Sequence, residues 1–159
     1  MSAVEDTLIV VKPDGVKRGL VGEIIGRFER KGFAVKRVQM LTMSKPQAEE
    51  FYSVHNAKPF FGELVSFITS GPVVGVVMSG RDAVATVRRM VGATKSWEAA
   101  AGTIRGDFGL GLTDNCIHAS DSTESFTKES AAFFGKTLGC GHLKELDGIC
   151  QSKAAYGSL

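Results

Sequence analysis

The 159-residue chain is 43% hydrophobic and 23% charged, with a mean hydropathy of +0.05 and a formal net charge of +2 at pH 7. That balance fits one globular domain able to bury a core and excludes a disordered chain. No apolar run approaches the ~18 residues of a membrane-spanning helix, and no dense basic run points to nucleic acid as a partner.

In chain order, the acidic start Met1–Asp6 lacks the apolar stretch of a secretory signal. Thr7–Val11 reads as a strand buried on both faces, stopped by the turn Lys12-Pro-Asp-Gly15. Val21, Ile24, Ile25 and Phe28 form a helical stripe, with Glu23 near its start, Arg27, Arg30 and Lys31 near its end, and Gly32 after the last turn. Phe33–Leu41 reads as a second strand. Ser44-Lys-Pro-Gln47 matches a capping box and opens a helix carrying Ala48, Phe51 and Tyr52, which should break by Pro59. A further stripe of Phe61, Leu64, Val65 and Ile68 ends at Gly71-Pro72, and Val73–Met78 is a third strand. Asp82 is placed to cap a helix built on Val84, Val87 and Val91. The last helix follows Ser120-Asp-Ser-Thr123 and runs to about Phe134. Strands alternating with helices predict an α/β or α+β chain, a single domain over 1–159 with its core in about 6–134 and a C-terminal extension over 135–159.

Glycine is in excess: 19 of 159 residues, about 12% against a typical ~7%. Without a short period, the excess means tight turns or backbone brought close to a ligand. Three cysteines, Cys116, Cys140 and Cys150, form no even framework, which predicts a reducing, cytoplasmic setting. Cys140, His142 and Cys150 lack the paired spacing and nearby fourth ligand of a zinc site, so no protein-held metal is expected.

Of the three histidines, His118 lies in Asn115-Cys-Ile-His-Ala-Ser-Asp-Ser122, just before a helix start. Free N–H groups there favour an anion such as phosphate. Asp121 or Glu129 could orient the imidazole through one nitrogen and leave the other as a nucleophile. The same residues also fit a surface histidine beside an Asp121–Glu124 capping pair. Arg88 lies about 40° around its helix from Val84, beside the buried stripe. It suits either a phosphate-binding cleft or a snorkelling side chain. Gly102-Thr-Ile-Arg-Gly-Asp107 brackets Arg105 with glycines, as where a cation and bare backbone approach an anion, or as in a solvated turn. Lys12 ends the first strand, and Phe60, beside Pro59, could stack on a base or pack in the core. Gly135-Lys-Thr137 mimics the end of a P-loop, but Ser130 stands where the first glycine is required.

Taken in order, Lys12-Pro-Asp-Gly15, Arg18-Gly-Leu-Val-Gly-Glu-Ile-Ile25, Pro59-Phe-Phe61, Ser70-Gly-Pro-Val73, Gly102-Thr-Ile-Arg-Gly-Asp-Phe108 and Asn115-x-x-His118-x-Ser-Asp-Ser122 resemble the nucleoside diphosphate kinases. The resemblance implies a ferredoxin-like βαββαβ core with an antiparallel four-stranded sheet. It implies ping-pong transfer of a γ-phosphate from a nucleoside triphosphate to a nucleoside diphosphate through a phosphohistidine, with Mg2+ carried by the nucleotide. By motif position His118 would be the nucleophile and Glu129 would hold its ring. Lys12, Arg88, Thr94 and Arg105 would bind phosphates, and Asn115 with Lys12 would reach the sugar. Phe60 would stack on the base with Leu112 on its other face, while Tyr52, Leu64, Ser120 and Asp121 would complete the pocket. A homo-oligomer is implied, hexameric or else tetrameric. The chain departs from the family pattern at Ala119, where many relatives have Gly, at Ser96 and Ala101, where prolines are usual, and in its tail. A nucleotide-binding scaffold of the same fold is the alternative; a chain that had lost turnover would be expected to lack His118 or a clamp cation, and all are present.

Overall fold

The computed structural model describes residues 4–135; the Cys140, His142 and Cys150 group and the P-loop mimic beyond Gly135 lie outside them. Four strands, β1 (Val4–Val11), β2 (Ala34–Leu41), β3 (Val73–Arg81) and β4 (Ile117–Ala119), form one antiparallel sheet in the order β2-β3-β1-β4. With the helices between them this is the α+β, ferredoxin-like arrangement expected. The helices are α1 (Pro13–Lys17), α2 (Val21–Lys31), α3 (Lys45–Phe51), α4 (Phe61–Ile68), α5 (Ala83–Val91), α6 (Ile104–Phe108) and α7 (Thr123–Phe134). No described helix is long and apolar enough to cross a membrane.

The inner stretches of the central strands, Leu8–Val11 of β1 and Val73–Met78 of β3, are apolar because both sheet faces are covered there, and each strand has a less buried end that carries polar residues. Ile9 and Val11 of β1 join Ile24 and Phe28 of α2 and Val87 and Val91 of α5 in one core. Leu8 and Val10 join Phe51, Val65, Ile68 and Phe133 from α3, α4 and α7 in the other. Gly75 in β3 has a packing role that composition could not reveal: a Cβ there would lie 2.4 Å from the Phe133 ring.

The caps show which local signals hold. Gly32 is left-handed (φ 103°), and Gly32 N–H to Glu29 and Phe33 N–H to Phe28 close a Schellman motif. Phe33 then packs edge-on against Phe28 at 6.4 Å. Ser44 accepts the Gln47 N–H at 3.3 Å, but only half of the capping box forms. The Gln47 amide instead donates to the Ala132 and Phe133 carbonyls, tying α3 to the end of α7. Asp82 does not cap α5 with its side chain. Its left-handed backbone (φ 46°) makes the turn, and the Glu5 carboxylate accepts the Val84 N–H at 3.0 Å. Ser122 is the cap of α7, accepting the Ser125 N–H.

Three short elements have no pattern of their own: α1 and α6 stand where the sequence suggests turns, and β4 where it suggests no element. Ladder pairing to β1 defines β4, placing His118 opposite Val10 beside the central strand. Ala119 fits without strain, since its φ is not positive and it pairs with Ile9.

Candidate active site

A cleft of about 390 Å³ opens at the β4 side of the sheet. Its walls gather side chains from distant segments, although the Arg18–Ile25 and Ser70–Val73 motifs contribute none: Lys12 after β1, Tyr52, Phe60 and Leu64 around α3 and α4, and Arg88 and Thr94 on and after α5. Arg105 of α6, Leu112 and Asn115 of the following loop, His118, Asp121 and Glu129 complete it. Ser120 is fully buried behind this lining and reaches it through Glu129.

His118 is held from one side. Its Nε2 lies 2.9 Å from Glu129 Oε2, and the Ser120 hydroxyl donates to the same oxygen at 2.6 Å. The rings of Phe51 and Tyr52 stand edge-on to the imidazole with centroids at 5.0 and 6.0 Å. An Nε2–H donated to a carboxylate would leave the lone pair on Nδ1, an arrangement able to serve as a nucleophile and unlike that of a solvated surface group.

Three cations surround it. Arg105 is buried although charged: Nη2 donates to the Ile117 carbonyl at 2.8 Å and Nη1 to Gly92 at 3.2 Å. Its Nε is a buried donor with no partner among the described residues, as suits a group awaiting an anion. Burial, and then the charge of Arg88, bring its pKa down to about 10. Arg88 reaches over β4 to the Ala119 carbonyl at 3.2 Å. Lys12 is buried too, with its ammonium over the Phe67 ring and bonded to Asn115 Oδ1 at 3.0 Å and to the Thr113 carbonyl. Burial lowers its pKa to about 8, against the partly compensating charge of Asp14. Cations kept dry and mutually repelling form a site whose electrostatic deficit an anion removes.

Asn115 joins these parts. Its Nδ2 donates to the Thr94 and Leu112 carbonyls while its Oδ1 accepts from Lys12, so sugar hydroxyls would join an existing network. The next residue, Cys116, is left-handed (φ 68°), and Ile117 N–H folds back to Asn115 O at 2.9 Å, a tight γ-turn. At the mouth, Phe60 and Leu112 are 44% and 53% exposed, apolar surfaces positioned to take a flat ring.

The glycines beside the cations serve a different end from the one expected. A Cβ at Gly106 would lie 2.0 Å from the Ala100 carbonyl oxygen, and one at Gly15 3.0 Å from that of Cys116. Close approach is required there, but by the chain's own backbone. The sequence reading also missed His55, whose ring lies 5.8 Å from Phe60 and 6.4 Å from Tyr52 in the cleft wall. Its place between two aromatic positions of the site was the available signal.

Comparison with known proteins agrees with this geometry. Residues 5–138 match the family model described as nucleoside diphosphate kinase. The nucleoside diphosphate kinase of Staphylothermus marinus is 53% identical over 130 residues, 82% of this chain and 92% of that one. That of Archaeoglobus fulgidus is 55% identical, over 82% and 86%. Among solved structures, the Aquifex aeolicus nucleoside diphosphate kinase superposes with a TM-score of 0.82 at 47% identity, covering 84% of this chain and 97% of its own. A halophilic nucleoside diphosphate kinase from Halobacterium salinarum, solved in complex with CDP, gives 0.80 at 46% identity, covering 84% and 90%. With one family spanning all the described strands and relatives more than half identical, the chain belongs to the nucleoside diphosphate kinase family.

Proposed function

We propose that the chain moves the γ-phosphate of a nucleoside triphosphate to a nucleoside diphosphate in two half-reactions through His118. The observation that carries this reading is the imidazole pinned at Nε2 by Glu129 inside a cleft lined by Lys12, Arg88 and Arg105. The Nδ1 lone pair attacks the γ-phosphorus, the bond to the β,γ-bridging oxygen breaks, and the nucleoside diphosphate leaves with that electron pair. Glu129 holds the Nε2 proton throughout and offsets the positive charge that the phosphorylated ring acquires. An oxygen of a second diphosphate's β-phosphate then attacks the phosphorus, and the N–P bond breaks back onto Nδ1. In flight, charge spreads over the peripheral oxygens, so catalysis is positioning plus cationic stabilisation, which Arg88, Arg105 and Lys12 supply.

Mg2+ would be carried by the nucleotide phosphates, where it would supply charge neutralisation. The three cations lining the cleft suit the phosphate chain of such a nucleotide. A cytoplasmic setting fits the free thiol of Cys116. A homo-oligomer, hexameric as the resemblance implies, fits the exposed Val38 and Met40 on edge strand β2 and exposed Trp97 and Leu110.

The test is label transfer: γ-labelled ATP should leave an acid-labile phosphoenzyme whose label passes to added UDP as UTP. No label on the protein would overturn the reading.

Two further results are expected. Phe60→Ala removes a stacking surface worth about 1–3 kcal/mol, so KM should rise roughly tenfold with kcat near wild type. Base identity should change this little, because every base has a π-face. The second concerns pH. Lys12 carries charge below its pKa of about 8 and loses it above. Nucleotide phosphates bind the charged form, so kcat/KM should fall on an alkaline limb that begins near pH 8, measured across pH 6.5–9.5. Lys12→Gln should remove that limb along with most of the affinity.

A further inference from the structure

The turn that delivers Lys12 also grips the segment carrying Asn115 and His118. The Asp14 Oδ2 accepts the Cys116 N–H at 3.0 Å, and the Lys12 N–H donates to the Cys116 carbonyl at 2.8 Å. Both backbone polar groups of Cys116 therefore end on Lys12-Pro-Asp, and Gly15 lets α1 approach that closely. Cys116 needs such a grip. A left-handed, β-carbon-bearing residue at the centre of a γ-turn persists only where its surroundings over-determine it. On one side of that turn Asn115 meets Lys12, and two residues beyond it stands His118.

We propose that Asp14 is a positioning residue for phosphoryl transfer: its carboxylate holds the Cys116 turn, so fixing Asn115 and His118 against Lys12, and its charge supports that of Lys12. This rests on the kinase reading. A displacement of about 1 Å at a reacting centre is enough to cost two orders of magnitude in rate, so a lost backbone anchor should register in kcat.

The charge argument depends on what faces Lys12. Asp14 on α1 and Asp114 in the loop favour its protonated form, and Arg105 on α6 opposes it. The Cys116 thiol, pushed up to about 12 chiefly by burial, stays neutral and adds no charge at working pH. Asp14 is the largest of the favourable influences.

Two variants separate the roles. Asp14→Asn keeps an oxygen acceptor for Cys116 N–H and loses the charge; Asp14→Ala loses both. With thermal melting as the check on folding, D14N should keep kcat within about twofold at pH 7, while its alkaline limb in kcat/KM moves to lower pH. D14A should show the same displaced limb with kcat reduced at least about tenfold. Calorimetric ADP affinity against pH should repeat the displaced limb without any turnover. A folded D14A with wild-type kcat, or a D14N limb that superimposes on wild type, overturns the inference. Should D14A not fold, the D14N profile decides alone. A wild type that transfers no label tells against the kinase reading, and the ADP profile still decides about Asp14.

Discussion

Replacing His118 by alanine should abolish the phosphoenzyme and lower kcat by about four orders of magnitude or more, the scale seen when a nucleophile is removed from an enzyme that works through it. The protein should fold normally. The imidazole is one-fifth exposed and makes a single hydrogen bond among the described residues, and Glu129 retains the Ser120 hydroxyl as a donor. Nucleotide affinity should change little, because Lys12, Arg105, Asn115 and Phe60 remain. Loss of rate without loss of binding is the signature of a group used in bond making. Mass spectrometry after incubation with ATP checks it directly: wild type gains one acid-labile phosphate and H118A none. Stable label on a serine of H118A, with turnover preserved, would move the nucleophile elsewhere; Ser120 and Ser122 flank the same helix start.

What the sequence shows and what it conceals divide along physical lines. Long elements were legible because their signals are redundant. The stripe Val21, Ile24, Ile25, Phe28 with Gly32 behind it leaves one helix and one place for it to stop, and α2 ends there. The buried stretches of β1 and β3 read as apolar runs over Thr7–Val11 and Val73–Met78, whereas their outer ends, Val4–Asp6 and Ser79–Arg81, did not. The short elements were concealed because nothing local makes them. Three residues of β4 are a strand only through their partners Ile9, Val10 and Val11. The five residues of α1 and of α6 are too few to show a period. Site residues were visible as residue types and invisible as geometry. Arg105 reads equally as a solvated arginine until α6 turns it inward under the Gly92 and Ile117 carbonyls. The Asp82 misreading has the same origin. Asp before a helix is the preferred cap on average, but here the cap comes from Glu5, 79 residues before the Val84 whose N–H it accepts, and no local rule could find it. The Cys116 turn is the extreme case, since nothing in Asn-Cys-Ile announces a left-handed residue.

Arg105→Ala should separate catalysis from stability at a residue that is buried and bonded to the fold itself. The guanidinium is almost wholly buried beside a second arginine, and both burial and Arg88 lower its pKa, to about 10. A base whose pKa is lower folded than unfolded burdens the folded state while it is charged, which at neutral pH is always. Alanine removes that burden, and it also leaves the Gly92 and Ile117 carbonyls without their donor. Those two losses are worth about 1–3 kcal/mol each at most, opposed by the relieved repulsion and desolvation. The melting temperature should therefore move by no more than about 5 °C in either direction. Transfer should suffer far more. A preorganised cation that stabilises charge developing on phosphate oxygens is worth about 10²–10³ in kcat when removed. Arg105→Lys should recover only part of this. A single ammonium can keep the charge, but its three donors radiate from one nitrogen and cannot span both carbonyls and a phosphate as the planar guanidinium fork does. Paired melting curves and steady-state kinetics at saturating nucleotide decide the matter. A kcat loss accompanied by a collapsed melting temperature would make Arg105 a structural tie between α6 and β4. A loss of rate in a protein that melts normally is what a phosphate clamp, held dry in advance of its ligand, requires.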